Sequence, residues 1–355
     1  MSFPEHPFPS TIPLFPHHTQ VLSYLRAYAS DLHSSINFNT QVLSIVPSSP
    51  SPGWTLTTSR TPTPTHYDAV MVATGHYNTP YIPPLSGLST FPGTIVHSRN
   101  FRLPQEFNGK KVLLIGNSAS AVDIAVQLLP CVQGPLLQVI RSPAASTTPP
   151  PEGIKVLPEI SALHPDGTVS FVDGAVEADV DVILFATGYL FTLPFLPEEL
   201  RLVTPRGERV TETFQHVFCQ RDPTLCFLGL PTKVIPFPLA QSQAAWVAGV
   251  YAGRVKLPAR EEMEMWEKGE VEKKGSGRPF HYFGFPWDVE YLNGIEAMID
   301  KAEGEGGLEP ARWREWERWV REKVPKIKKA FGEAGKKALT MEELGFVFED
   351  RYIEK

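Results

Sequence analysis

The stretch Lys110–Leu129, KKVLLIGNSASAVDIAVQLL, restricts the fold more than any other part of the chain. Val112 to Ile115 make a short buried-strand pattern that stops at Gly116. The apolar run Ala121, Val122, Ile124, Ala125, Val126, Leu128 and Leu129 predicts a helix packed on a sheet, ended by Pro130. Strand, tight turn and helix in this order open a βαβ dinucleotide-binding unit. Gly116 permits the turn, Ser118 is small enough for backbone to approach a pyrophosphate, and Ala121 stands where helix and strand pack closely. Asn117 and Ser120 lie in the same turn and join these three as candidate cofactor-binding residues. The helix N-terminus adds N–H groups and a partial positive charge for phosphates.

The second glycine of G-x-G-x-x-G/A is replaced by Ser118, so the turn alone does not fix the ligand. The next predicted strand, Leu136 to Ile140, adds a second signal because it ends in Arg141. NAD-binding units carry an acidic residue near that place for the ribose hydroxyl. A guanidinium favours the additional 2′-phosphate of NADPH.

A repeat suggests that this unit has a relative within the chain. DAVMVATGHY, Asp68–Tyr77, returns as DVILFATGY, Asp181–Tyr189. Each copy reads as a buried strand whose end, at Gly75 and Gly188, is small enough to pass close to a ligand or a neighbouring segment. Two copies imply two related nucleotide-binding domains; the plainer alternative is two core strands ending in glycine turns. Around them, His17–Leu32 has helical spacing with Val21, Leu22, Leu25 and Tyr28 on one face. Gln41–Val46 and Trp54–Thr58 read as strands, and Pro80–Gly93 as a proline-punctuated connection. STTPPPEG reads as a surface loop. Val156–Ser161 and Thr168–Val172 form an expected strand pair around the turn at His164 to Gly167. Pro223–Leu230 is a further buried strand and Gln241–Gly253 a small-residue helix. Beyond Leu257 charge alternates with helical periodicity, Trp313, Trp316, Val320 and Val324 form a stripe, and Pro310 is placed in a first turn. That helix reads as docked on its parent domain, with a membrane or partner face as the alternative.

Composition excludes several classes. At 355 residues two domains are expected. A net charge of −6 argues against a general binder of nucleic acid or anionic membrane. Cys131, Cys219 and Cys226 make neither a disulfide framework nor a redox dithiol, which fits a reducing, cytoplasmic setting. The 10 histidines show no metal-ligand spacing, and no apolar run is long enough to span a membrane. The first 16 residues hold five prolines and no signal-peptide pattern.

With these motifs assembled, the chain resembles the flavin-containing monooxygenases of the soluble fungal and bacterial kind. FPGTIVHSRNF fits the family fingerprint F-x-G-x-x-x-H-x-x-x-(Y/F), with Phe91, Gly93, His97 and Phe101 in place. Baeyer–Villiger relatives carry Trp at the last position. The fingerprint is expected to be a domain linker, and His97, taken without the family, is a structural loop histidine. GNSASAVDIA resembles the family's NADPH motif. FATGY, ATGHYNTPYIP, FQHVF, DPTLCFLGL, FHYFGFP and TMEELGF also resemble family signatures, and Gln243 aligns with a glutamine placed near the flavin ring. The resemblance implies an α/β flavoprotein architecture with two dinucleotide-binding domains. Residues 1–104 would be FAD domain and linker, 105–212 an inserted NADPH domain, 213–257 the close of the FAD domain, and 258–355 a helical C-terminal extension. It also implies FAD and NADPH as cofactors, and a small molecule with a soft nitrogen or sulfur centre, together with O2, as partners.

No G-x-G-x-x-G precedes Gly116, and residues 1–30 resemble the family's segment downstream of its first Gly-rich turn. The expectation is therefore an N-terminally truncated, incomplete FAD domain, with the family's active-site asparagine falling upstream of Met1. The chain would then be inactive as it stands. A non-catalytic NADPH-binding remnant is the main alternative. A serine hydrolase is the distant one, since Gly116-Asn117-Ser118-Ala119-Ser120 is one residue from G-x-S-x-G and Ser118, Asp181 and His216 follow the triad order.

Overall fold

A parallel sheet needs both faces covered and its crossovers long enough to hold helices. The strand patterns meet that condition in one part of the chain and relax it in another. The computed structural model describes residues 2–61, 63–141, 151–302 and 306–349. It resolves into two compact units, Met1–Gly75 with Leu193–Lys355, and His76–Thr192.

The first unit opens with α1 (His18–Tyr28), then the antiparallel strands β1 (Val42–Pro47), β2 (Trp54–Thr58) and β3 (Thr65–Tyr67), then β4 (Val70–Val72). The helix is shorter than its spacing predicts and continues as a 3-10 turn over Ser30–Ser35. Its expected stripe is also rotated: Tyr24 is buried, while Leu22, Leu25 and Tyr28 are exposed. The cause is the proline-rich lead. Phe8 stacks on Tyr24 at 3.9 Å, the Phe3 N–H donates to Tyr24 Oη at 2.8 Å, and Tyr24 Oη donates to the His6 carbonyl at 2.6 Å.

The second unit contains β5 (Thr79–Pro80), β6 (Thr94–His97), β7 (Val112–Ile115), α2 (Ala119–Leu128), β8 (Leu136–Val139) and β9 (Ile154–Leu157). It continues with β10 (Ile160–Leu163), β11 (Val169–Phe171), β12 (Val176–Glu177), β13 (Val182–Phe185) and β14 (Tyr189–Leu190). Five strands form one parallel sheet in the order β6-β13-β7-β8-β9. The expected pairing of Val112–Ile115 with the second ATG strand is present, with Val182 opposite Val112 and Phe185 opposite Ile115. Helix α2 buries Ala121, Ile124, Ala125 and Leu128 on this sheet, so the dense apolar run does what its pattern requires. The segment read as one strand, Val156–Ser161, is two. Residues up to Leu157 join the parallel sheet, and after Pro158 the chain turns into β10, which pairs antiparallel with β11. Proline has no N–H to continue a ladder, which accounts for the break. Most of STTPPPEG lies outside the described residues.

The chain then returns to the first unit with β15 (Thr213–Phe214), β16 (Phe218–Cys219) and β17 (Leu225–Phe227). Helices α3 (Pro236–Tyr251), α4 (Arg260–Lys274), α5 (Trp287–Ile299) and α6 (Glu315–Glu333) follow. The sheet order is β15-β16-β17-β4, with β4 parallel to β17 at the edge. Helix α3 begins earlier than Gln241 because Pro236 sits in its first turn, where a missing N–H costs nothing. Helix α6 begins at Glu315, after Pro310, and buries Ile327 and Phe331; Trp313 is buried ahead of the helix and Trp316 is exposed. Val289, Tyr291, Leu292, Ile295 and Trp313 share one core with Phe214, Phe218 and Trp246.

Candidate functional site

In open parallel sheets a ligand cleft forms outside the carboxyl ends of strands where the chain order reverses. In the His76–Thr192 unit that point lies between β7 and β13. Gly116 ends β7 there with φ of +126°, and a Cβ on it would stand 2.5 Å from the Ala186 carbonyl oxygen. Only glycine lets the β7 turn run against the end of β13. The turn is pinned on both sides: the Gly116 N–H donates to Val139 O at 3.1 Å, and Gln138 Nε2 donates to Gly116 O at 2.8 Å. Asn117, Ser118 and Ser120 are exposed, Ser118 is the extended residue preceding α2, and Ala121 is buried beneath them. Arg141 is exposed just beyond β8, the next strand. The result is a small-residue turn and a helix N-terminus facing outward, with a cation beside them.

Gly188 follows β13 with φ of +83°. His97 holds it. This residue is the last of β6, almost fully buried, and its Nε2–H donates to Gly188 O at 3.0 Å. The Arg99 N–H donates to His97 Nδ1 at 3.1 Å, so the proton of the neutral ring sits on Nε2. Burial lowers the His97 pKa, with Arg99 adding to the effect, while the bond to Gly188 opposes it.

The fingerprint expected to be a linker is therefore an edge strand and its anchors. Phe91 is buried in the core below the sheet. Gly93 admits the β13 approach, since a Cβ would meet the Phe91 ring at 2.5 Å and Asp181 O at 2.6 Å. Phe101 stacks on Phe107 at 5.6 Å. The strand was hidden because its pairing partner, β13, is remote in sequence.

In the other unit, Gly75 follows β4 and Gly229 follows the adjacent β17, with φ of +68° and +77° and open space where a Cβ would stand. Gly229 was not singled out from the sequence, although the FLGL string has the same strand-then-glycine form as ATG. Gln243 is fully buried: its Oε1 accepts from Gly229 N–H at 2.8 Å and its Nε2 donates to Tyr291 Oη at 2.9 Å. Tyr291 Oη in turn donates to Gln215 O at 2.6 Å. Burial, only partly offset by the bond to Gln243, pushes the Tyr291 phenol well above its ordinary range, so it stays protonated and able to donate.

The hydrolase arrangement is not formed. Asp181 precedes β13 and accepts from the Lys111 N–H at 2.8 Å, at the opposite end of the parallel strands from Ser118. His216 is wholly buried and its Nδ1 lies 2.9 Å from His281 Nδ1. Burial, then His281, Lys274 and Arg209, hold its imidazole well below the ordinary histidine range. Among the described residues no His, Cys, Asp and Glu cluster could hold a metal, and no helix is long and apolar enough to cross a membrane.

The family model for Flavin-binding monooxygenase-like proteins matches residues 1–140 and 152–301. The chain belongs to this family. Flavin-containing monooxygenase FMO GS-OX-like 4 of Arabidopsis thaliana is 37% identical over 263 residues, covering 71% of this chain and 58% of the relative. FMO GS-OX-like 3 of the same plant is 35% identical over 306 residues, covering 82% of this chain and 67% of the relative. The chain spans 55% to 67% of the length of five such relatives. S-allyl-L-cysteine S-oxygenase from Allium sativum superposes with a TM-score of 0.82 at 28% identity, over 97% of this chain and 80% of that one. Cyclohexanone monooxygenase from Rhodococcus sp. Phi1, solved with NADP+, shares the fold at a TM-score of 0.54 and 14% identity, over 79% of this chain and 82% of that one. The architecture is thus the α/β plan of flavin monooxygenases with two dinucleotide-binding domains.

Proposed function

We propose that the chain carries the NADPH site and part of the FAD site of a monooxygenase that places one oxygen atom from O2 on a soft sulfur or nitrogen centre of a small molecule. The observation that carries this reading is the Gly116 turn at the switch point, open to solvent, with Arg141 beside it. Gly116, Asn117, Ser118 and Ser120 with the α2 N-terminus would receive the pyrophosphate, and Arg141 the 2′-phosphate. Gly75 and Gly229, both left-handed and both facing open space on neighbouring strands, fit a flat flavin passing close to backbone. Gln243 then acts by holding Gly229 in place. Bound together, the two cofactors would supply the reducing equivalents and the oxygen chemistry. The Allium sativum protein, an S-oxygenase by its description, supports sulfur as the acceptor. A cytoplasmic setting fits three free cysteines.

A protein of these 355 residues has no Gly-rich turn before Gly116, so we expect it to purify colourless and to consume no NADPH with a thioether. A yellow preparation with stoichiometric flavin would refute that part of the reading. NADPH should still bind. Each hydrogen bond to a charged group contributes about 1.5–3 kcal/mol, so Arg141→Ala should weaken NADPH at least about tenfold and leave NADH nearly unchanged. Equal losses for both nucleotides, measured by calorimetric titration, would make Arg141 merely structural.

A further inference from the structure

The turn between β15 and β16 carries backbone strain. Gln215 and His216 both adopt left-handed backbone, with φ of +50° and +58°, which a side chain disfavours. Such a turn persists only where its surroundings hold it. One hold is the His216 ring, which sits among Trp266 at 5.3 Å, Phe280 at 4.9 Å, Phe283 at 5.0 Å and Tyr291 at 6.0 Å between centroids. Its Nδ1 faces His281 Nδ1 at 2.9 Å. The other hold is Tyr291 Oη, which donates to Gln215 O.

Counting protons orders the rest. The Val210 N–H donates to His281 Nε2 at 3.1 Å, so the neutral His281 ring carries its proton on Nδ1 and gives it to His216 Nδ1. The single phenol proton of Tyr291 is committed to Gln215 O, so its oxygen can only accept from Gln243. The Gln243 amide must therefore turn Nε2 to Tyr291 and Oε1 to the Gly229 N–H. Reversed, it would set N–H against N–H. The position of the Gln215 carbonyl thus decides which end of Gln243 meets Gly229.

We propose that His216 is a positioning residue for the flavin-side turn: its bond to His281 holds the Gln215 carbonyl at Tyr291, and through Tyr291 and Gln243 it fixes the Gly229 amide. The flavin part of this inference rests on the reading of Gly229 given above. The hold depends on the histidine pair staying neutral. Around it, Arg209 lies over Phe280 and is paired with Glu267, and Lys274 lies over Phe283 and is paired with Glu270. Helix α5 contributes the Tyr291 phenol, which burial keeps protonated. Burial, then His281, Lys274 and Arg209, oppose a charge on His216. In acid, a proton added to His216 Nδ1 sets two N–H groups against each other across 2.9 Å and releases the turn.

The test is amide hydrogen exchange, read by NMR on the whole chain without flavin and isotope-labelled at glycine and phenylalanine. Phe227, whose N–H donates to Val217 O in the same sheet, is the reference for general loosening. His216→Phe, which keeps a ring in the aromatic box, and Tyr291→Phe should each speed Gly229 exchange about threefold to tenfold and leave Phe227 unchanged. In a Gln243→Ala background neither should have a further effect. Acidification should speed Gly229, relative to its intrinsic rate, in the unsubstituted chain but not in His216→Phe. Equal acceleration of Gly229 and Phe227, effects that persist in Gln243→Ala, or no acceleration of Gly229 would overturn the relay. Riboflavin should shift the Gly229 signal of the unsubstituted chain. No shift would overturn the flavin reading of Gly229, while the exchange rates decide the relay by themselves.

Discussion

The two ATG segments are nearly the same string in two different surroundings. Asp68 to Gly75 and Asp181 to Gly188 align residue for residue, and both glycines adopt left-handed backbone. Yet Met71, in the three-residue edge strand β4, is 47% exposed, while its counterpart Leu184 in β13 is 0% exposed. Strand β13 has β6 on one side and β7 on the other, whereas β4 is paired with β17 on one side. The turn chemistry is set locally by Ala-Thr-Gly. Burial is set by neighbours that the string does not encode.

The comparison breaks first at that pair. Leu184→Ala should cost about 2–5 kcal/mol in urea unfolding, because a closely packed core cannot collapse onto the gap. Met71→Ala should stay within about 1 kcal/mol. Similar losses at the two positions would mean that β4 is covered as fully as β13.

The second ATG is sharpened by its histidine latch. Removing the ring in His97→Ala leaves the Gly188 carbonyl without that donor and should cost about 1–3 kcal/mol. Because burial holds the folded-state His97 pKa below the ordinary 6.5, the unfolded chain binds its proton first. Its contribution is complete above that value and is lost as pH falls towards the folded-state pKa. His97→Gln should therefore flatten the acid side of the stability profile; an unchanged profile would show that His97 is not the titrating group.

The smallest effect should be the one the two copies share. Gly75→Ala and Gly188→Ala each force a left-handed alanine without a clash, at roughly 1–2 kcal/mol apiece. Unequal costs in thermal unfolding would show that one turn can relax and the other cannot.

What was legible in the sequence follows the same division. The strand–turn–helix at Gly116 and the parallel pairing of the second ATG could be read because periodicity and small residues are local signals. The Phe91 to Phe101 fingerprint was misread as linker because a four-residue strand announces itself only through its partner. The buried pair His216 and His281, and the link from Gly229 through Gln243 and Tyr291 to Gln215, join residues remote in sequence. No spacing rule reaches that far. Gly229 alone left a trace, in its resemblance to the ATG ending.

The Gln243–Tyr291 link also bears on how this chain tolerates being shortened from its far end. Tyr291 belongs to α5, and with Leu292, Ile295 and Trp313 it closes the core around Phe214 and Trp246. A protease cut or an early stop codon after residue 257 would remove these side chains, bare the aromatic core and leave Gln243, which holds the Gly229 amide, without its Tyr291 partner. Splice forms or engineered fragments that end there should be cleared by cellular quality control, because the last hundred or so residues close the roof over a turn formed much earlier in the chain.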